Sequence, residues 1–163
     1  MPLRAQAEHN RLAGARFEKT FEHFARLAGL LVVRQPLAFR WRQGGKAVAI
    51  RAELDYALVS PQGQVAYVDT KSWGGKAYPR SALTVHQVAR AYTYNRYNVP
   101  SGFVVEFRAL DAVVFFSGRM AQALTKGRSL APDDGLYLGC CLRFSPGQLL
   151  KTDSAGRPVD GMP

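Results

Sequence analysis

An α/β fold, a central mixed β-sheet flanked by α-helices, is what three features of this 163-residue chain predict. A long amphipathic segment opens it, short alternating or β-branched segments follow, and a second helical segment divides those strands into two groups. Apolar residues make up 47% of the chain, enough to fill an ordinary core and to rule out wholesale disorder. The length is that of one domain, taken as 1–163.

Residues 4–28 read as a helix in which Phe17, Phe21, Phe24 and Ala28 share a face, ended by Gly29. Residues 30–33, Leu-Leu-Val-Val, suit a short buried strand closed by Pro36. Residues 37–51 form a basic hairpin of two alternating strands joined at Gly44-Gly45, with Arg40 and Arg42 on one face and Phe39 and Trp41 on the other. Strands over 53–60 and 64–71 flank the turn Pro61-Gln62-Gly63, and 72–82 is a polar, glycine-containing loop. A second helix spans 83–98, with Leu83, Val88, Ala91, Tyr92 and Asn95 near one face. Apolar strands follow at 102–107 and 112–116, then a third helix over 117–126 capped by Ser117 and stopped by Gly127. Residues 136–144 are read as a last strand, which gives a core of about 10–144. The tail, 145–163, has Pro and Gly throughout and is expected to be loose.

Charge narrows the function. The chain holds 22 Lys+Arg against 12 Asp+Glu, net +10, and the first 52 residues carry 10 basic and 3 acidic of these. Such a basic N-terminal third points to a polyanion, nucleic acid first. No apolar run approaches the roughly 20 residues of a membrane span. The opening lacks an apolar signal centre, so a cytoplasmic location and no membrane partner are expected. Cys140 and Cys141 are adjacent, too few for a disulfide framework or a zinc site, and are read as packing residues in a reducing compartment.

The chemistry concentrates in Glu53-Leu54-Asp55-Tyr56 and Val68-Asp69-Thr70-Lys71-Ser72. Antiparallel pairing of these strands brings Asp55 and Asp69 within side-chain reach, and the period of two puts Lys71 on the face of Asp69. Two converging carboxylates repel and call for a counter-charge, for which a divalent cation beside an ammonium is the usual answer. Mg²⁺ held by two carboxylates keeps positions open for water and a phosphate oxygen. The alternative for Asp69 and Lys71 is a surface ion pair. On a helical wheel Glu18 lies at the edge of the phenylalanine stripe and reaches inward, whereas Glu22 turns to solvent as a partner for Lys19 or Arg26.

Glu18 on a first helix, Asp55, then Asp69-Thr70-Lys71 resembles the PD-(D/E)XK nuclease superfamily, with Leu54-Asp55 in place of its Pro-Asp pair. More narrowly the chain is similar to RecU-type and archaeal-type Holliday junction resolvases. The carriers are Gly14-Ala15-Arg16-Phe17-Glu18, Asp55-Tyr56, Val68-Asp69-Thr70-Lys71, Tyr78-Pro79 and His86-Gln87, in order between about Asn10 and Phe116. Two departures stand out: Asp69 replaces the commoner Glu of the triplet, and the stretch from Pro36 to Asp55 is shorter than the stalk-bearing region of RecU.

The resemblance implies a restriction-endonuclease-like core and a structure-selective, Mg²⁺-dependent endonuclease, Mn²⁺ substituting, that resolves four-way DNA junctions as a homodimer by paired symmetric nicks. It implies that Asp55 and Asp69 bind the metal, that Thr70 offers its backbone carbonyl, and that Glu18 holds a metal or a bound water. Lys71 would assist the attacking water. Gln87 would either position water or phosphate or cap the second helix. Selection by branch shape needs phosphate contacts, for which Arg11, Arg16, Arg40, Arg42, Lys46, Lys76 and Arg80 are candidates. Trp41, Trp73 and Tyr78 are candidates to wedge at the crossover or to pack. No small organic cofactor is implied. The alternatives are a nuclease of the same superfamily acting on linear, nicked or flap DNA, and a non-catalytic DNA-binding module on a nuclease-like fold.

Overall fold

The computed structural model describes residues 3–35, 38–41, 47–50, 54–125, 127–153 and 156–157, with the backbone alone at 3–4, 38–41 and 47–50. In chain order the elements are α1 (Leu3–Leu27), β1 (Leu31–Arg34), β2 (Ala38–Trp41), β3 (Ala47–Ile50), β4 (Tyr56–Val59), β5 (Val65–Trp73) and β6 (Tyr78–Pro79). Then come α2 (Val85–Arg96), β7 (Ser101–Phe107), β8 (Ala112–Ser117), α3 (Gly118–Ala123), β9 (Ser129–Leu130), β10 (Leu136–Cys140) and β11 (Arg143–Phe144). Among the described residues the main sheet has seven strands in the order β1-β4-β5-β7-β8-β10-β11; β2 pairs with β3 and β6 with β9. No helix among the described residues is long and apolar enough to cross a membrane.

All main-sheet pairings are antiparallel except β5 with β7. A parallel pair needs a crossover, and α2 supplies it. Side-chain alternation then divides the molecule. Val68 on β5, Val104 on β7 and Phe115 on β8 pack with Phe17, Phe21 and Ala25 of α1. On the other face Phe103, Val105, Phe107 and Phe116 pack with Val88 and Ala91 of α2. Tyr67 of β5 stacks on Tyr94 of α2 at 4.3 Å. Asn95, fully buried near the end of α2, donates to the carbonyls of Val99 and Ser101 and accepts from the amide of Arg119, which fixes the crossover to β7 and α3.

Local chemistry sets the junctions. Between β4 and β5, the Ser60 hydroxyl accepts from the amides of Gln62 and Gln64, and Gly63 takes the left-handed φ of +81° that favours glycine. Thr84 caps α2 by accepting from the Gln87 amide, and Ser117 caps α3 by accepting from that of Met120.

Four expectations change. The strand read as buried at 30–33 is β1 at the sheet edge, where Leu31 and Val33 are exposed, since only its α1 face is covered. Tyr92 faces outward from α2. The last strand over 136–144 is two, β10 and β11, turned back at Cys141-Leu142. The tail is not loose throughout: Pro146–Lys151 winds into a 3-10 helix whose Leu149 and Leu150 enter the core under α1, because two adjacent leucines bury more apolar surface there than the Pro-Gly pair forbids. The hairpin turn at Gly44-Gly45 lies outside the described residues.

Leu149→Ala is therefore expected to destabilise the fold by about 2–5 kcal/mol. Leu142→Ala, at a side chain 85% exposed, should stay within about 0.5 kcal/mol. Urea unfolding followed by circular dichroism measures both, and equal midpoints would mean that the tail contributes nothing to the core.

Candidate active site

β5 is nine residues long and carries the site on its α2 face. Asp69 and Lys71, two apart, both point there, and the next residue on that face is Trp73. Asp69 is 0% exposed. Lys71 Nζ stands 2.5 Å from Asp69 Oδ1 as a close ion pair. From the first turn of α2, Gln87 Nε2 donates to Asp69 Oδ2 at 2.5 Å, while Gln87 Oε1 is buried without a partner. Asp55 lies in the bend before β4, anchored where its carbonyl accepts from the Gln35 amide, and its carboxyl meets that of Asp69.

Burial dominates the electrostatics. It raises the Asp69 pKa from 3.8 to about 7; the Lys71 ammonium pulls the other way, and the Asp55 charge adds to the rise. Tyr78, buried on the same side and edge-on to Trp73, is pushed up to about 12, first by burial and then by the Asp69 charge. The site is thus short of positive charge even with Lys71 present.

This donor set fits a hard divalent cation. Asp55 and Asp69 give carboxylate oxygens, and Gln87 Oε1 is a further buried oxygen with no hydrogen donor. The fit is one of two carboxylates only, for among the described residues no three His, Cys, Asp or Glu side chains gather around one point.

Glu18 is the residue the structure holds apart. It contacts Arg34 at 3.5 Å on the α1 face, at the strand end where Arg34 pairs with Tyr56, one residue past Asp55. The inward-pointing acid of α1 is Glu22, not Glu18: its side chain is 14% exposed against 38% for Glu18. Glu22 accepts from Arg34 at 2.6 Å, from Arg26 at 3.2 Å and from the Tyr56 hydroxyl at 3.1 Å. A helical wheel gives an angle but not these partners, which arrive from β1 and β4. Thr70 turns its side chain to the α1 face, where its hydroxyl is buried and unpartnered.

The phosphate-contact candidates separate. Arg11 and Lys76 are exposed. Arg16 reaches across to the buried Glu106 at 2.9 Å, whose other oxygen accepts from Ser72 at 2.5 Å. Arg80 spends its guanidinium on the carbonyls of Ala121 and Leu83. Both arginines are bound to the protein itself, since each meets an acceptor that would otherwise lack a donor. The side chains of Arg40, Trp41, Arg42 and Lys46 lie outside the described residues. Tyr78 is buried and packs on Trp73. Sequence reasoning missed Glu106 and Arg108; an acid within the apolar run Phe103-Val104-Val105-Glu106-Phe107 was the available signal for the first.

No family model and no curated protein matches the chain. Among solved structures it is similar to Hjc of Archaeoglobus fulgidus, a Holliday junction resolvase from an archaeal hyperthermophile, with TM-score 0.55 and 17% identity over 76% of this chain and 95% of that one. The chain has the fold of that resolvase, the mixed sheet flanked by helices that the sequence predicts.

An acid whose pKa is raised in the folded state holds its proton longer there than in the unfolded chain, so its ionisation opposes folding. Without divalent metal, stability should therefore fall as pH rises from about 4 to about 7. At about 1.4 kcal/mol per pKa unit the Asp69 contribution is on the order of 4 kcal/mol. Asp69→Asn, neutral in both states, should lack that loss; unfolding midpoints in EDTA across this range measure it, and parallel pH curves for the two proteins would refute the assignment.

Proposed function

We propose that the protein is a structure-selective, metal-dependent endonuclease that hydrolyses phosphodiester bonds in four-way DNA junctions. The observation that carries this reading is the fully buried Asp69, pressed against Asp55 and ion-paired to Lys71, on a fold shared with a junction resolvase. Asp55 and Asp69 would hold Mg²⁺, with Mn²⁺ substituting, the Thr70 backbone carbonyl adding a ligand and Glu18 reaching the site through water. When bound, the ion supplies activation of water and neutralisation of charge at the scissile phosphate.

The remaining work falls to side chains. The Lys71 ammonium, held by Asp69, offers donors to the water or to the charge that develops on the phosphate. Gln87, with one end on Asp69 and Oε1 free, orients a water. Arg11, Lys76 and the basic hairpin 37–51 supply contacts to the backbone of branched DNA. A two-fold homodimer would present two such sites to a nearly symmetric junction and permit paired nicks.

The test compares an immobile four-way junction with a linear duplex of the same sequence, with and without Mg²⁺. Paired, Mg²⁺-dependent nicks in the junction alone are expected. Asp55→Asn and Asp69→Asn should each slow cleavage roughly 10³-fold, with junction binding retained. Glu18→Gln, acting through water, should slow it only about tenfold. Normal rates in either Asp variant overturn the site. Equal cutting of the duplex turns the reading into a general nuclease, and binding without turnover in Mg²⁺ and Mn²⁺ makes it a binding module.

A further inference from the structure

Two N–H groups next to this site are buried with no acceptor: Nε1 of Trp73 and Nη1 of Arg108. Trp73 lies two residues beyond Lys71 on the same face of β5, about 7 Å along the strand. Its register partner on β7 is Phe107, so Arg108 begins at the same strand end. The segment Gly74-Gly75 lies against both side chains. A Cβ on Gly74 would fall 2.9 Å from Arg108 Nη2, and one on Gly75 would fall 2.7 Å from Trp73 Nε1. Glycine lets the backbone lie this close with neither side chain displaced, and glycine also lets it move away.

A guanidinium and an indole N–H are donors only, so neither satisfies the other. Among the described residues no carboxylate stands within ion-pair distance of Arg108, in contrast to Arg16, Arg26 and Arg34, each bound to a glutamate. The pair is complete only with an acceptor bearing several oxygens and a negative charge. The ammonium of the exposed Lys76, two residues past Gly74, adds to the attraction for such a group. The step from Lys71 to Trp73 matches the spacing of neighbouring phosphates on one nucleic-acid strand.

We infer that Arg108 and Trp73 form a subsite for a backbone phosphate adjacent to the scissile one, opened when the Gly74-Gly75 segment lifts off the two donors. This rests on the reading of the protein as a DNA nuclease, since it supplies the phosphodiester chain that spans both places. Arg108, carrying the charge, provides affinity; Trp73 provides direction.

Binding of an immobile four-way junction in EDTA, which prevents cleavage, tests the subsite across a series of salt concentrations. Arg108→Gln should weaken binding about tenfold and reduce the salt slope by about one charge. Trp73→Phe keeps an aromatic ring against Tyr78 while removing the indole N–H, and should weaken binding about threefold with the slope unchanged. Wild-type affinity and slope in both variants overturn the subsite, while Asp69-dependent cleavage by the wild-type protein leaves the nuclease reading standing. Should Arg108→Gln fail to fold, Trp73→Phe decides: a threefold loss supports the subsite and none overturns it. A wild-type protein that does not bind the junction overturns both readings.

Discussion

Taking the carboxylate of Asp69 wholly out of water is the constraint on which the rest of the site depends. A buried carboxylate needs a proton, a cation or several donors, and this one has an ammonium at 2.5 Å and a single amide donor. The topology explains how these arrive. Asp69 sits on β5, between the antiparallel β4 and the parallel β7. The antiparallel neighbour brings Asp55 from the bend at its start. The parallel neighbour demands a crossover, and the crossover helix α2 delivers Gln87 at its first turn. Lys71 follows from the period of the strand itself. One central strand therefore recruits a partner from each connection that sheet pairing requires.

The same alternation keeps a second polar system apart from the first. On the α1 face Glu106 joins Arg16 and Ser72, and Glu22 joins Arg26, Arg34 and Tyr56. These groups bind α1 to the sheet, and their charges are largely met within the protein. On the α2 face and at its strand end the polar groups are left incomplete: Gln87 Oε1 lacks a donor, and Trp73 Nε1 and Arg108 Nη1 lack acceptors. The unmet Gln87 oxygen lies where a cation or water would serve it, and the unmet N–H groups lie farther along the strand where an anion would. A basic chain alone would have placed both kinds of arginine in one class; the partners separate them.

Much of this was legible in the residues because local rules governed it. The β4–β5 turn followed from Pro61-Gln62-Gly63, the α3 cap from Ser117, and the shared face of Asp69 and Lys71 from the two-residue period. The juxtaposition of Asp55 with Asp69 needed only that the two strands pair. What failed depended on partners far along the chain. Glu22 rather than Glu18 turns inward because Arg34 and Tyr56 come to meet it. Arg16 looked free because nothing near it in the sequence announces Glu106, 90 residues away. Pro146-Gly147 reads as loose, yet Leu149 and Leu150 find the open side of the α1 core. Composition describes a segment; burial depends on what space remains when the others have packed.

A structural role alone does not account for the arrangement around Asp69. A buried ion pair is weak support for stability, and apolar residues of similar size commonly serve a core as well or better. The neighbours Val68, Phe103 and Val105 show that this part of the sheet accepts apolar side chains without strain. A purely structural pair would also be expected to satisfy its own lone pairs, as Glu22 does with three donors. Here Gln87 Oε1 is buried and left open beside a proton-holding carboxyl, on a fold that a junction resolvase also uses. At 17% identity that likeness speaks for the backbone only. The open Gln87 oxygen speaks for the chemistry, because the free energy lost in burying it is recovered when a cation or a held water is bound beside it.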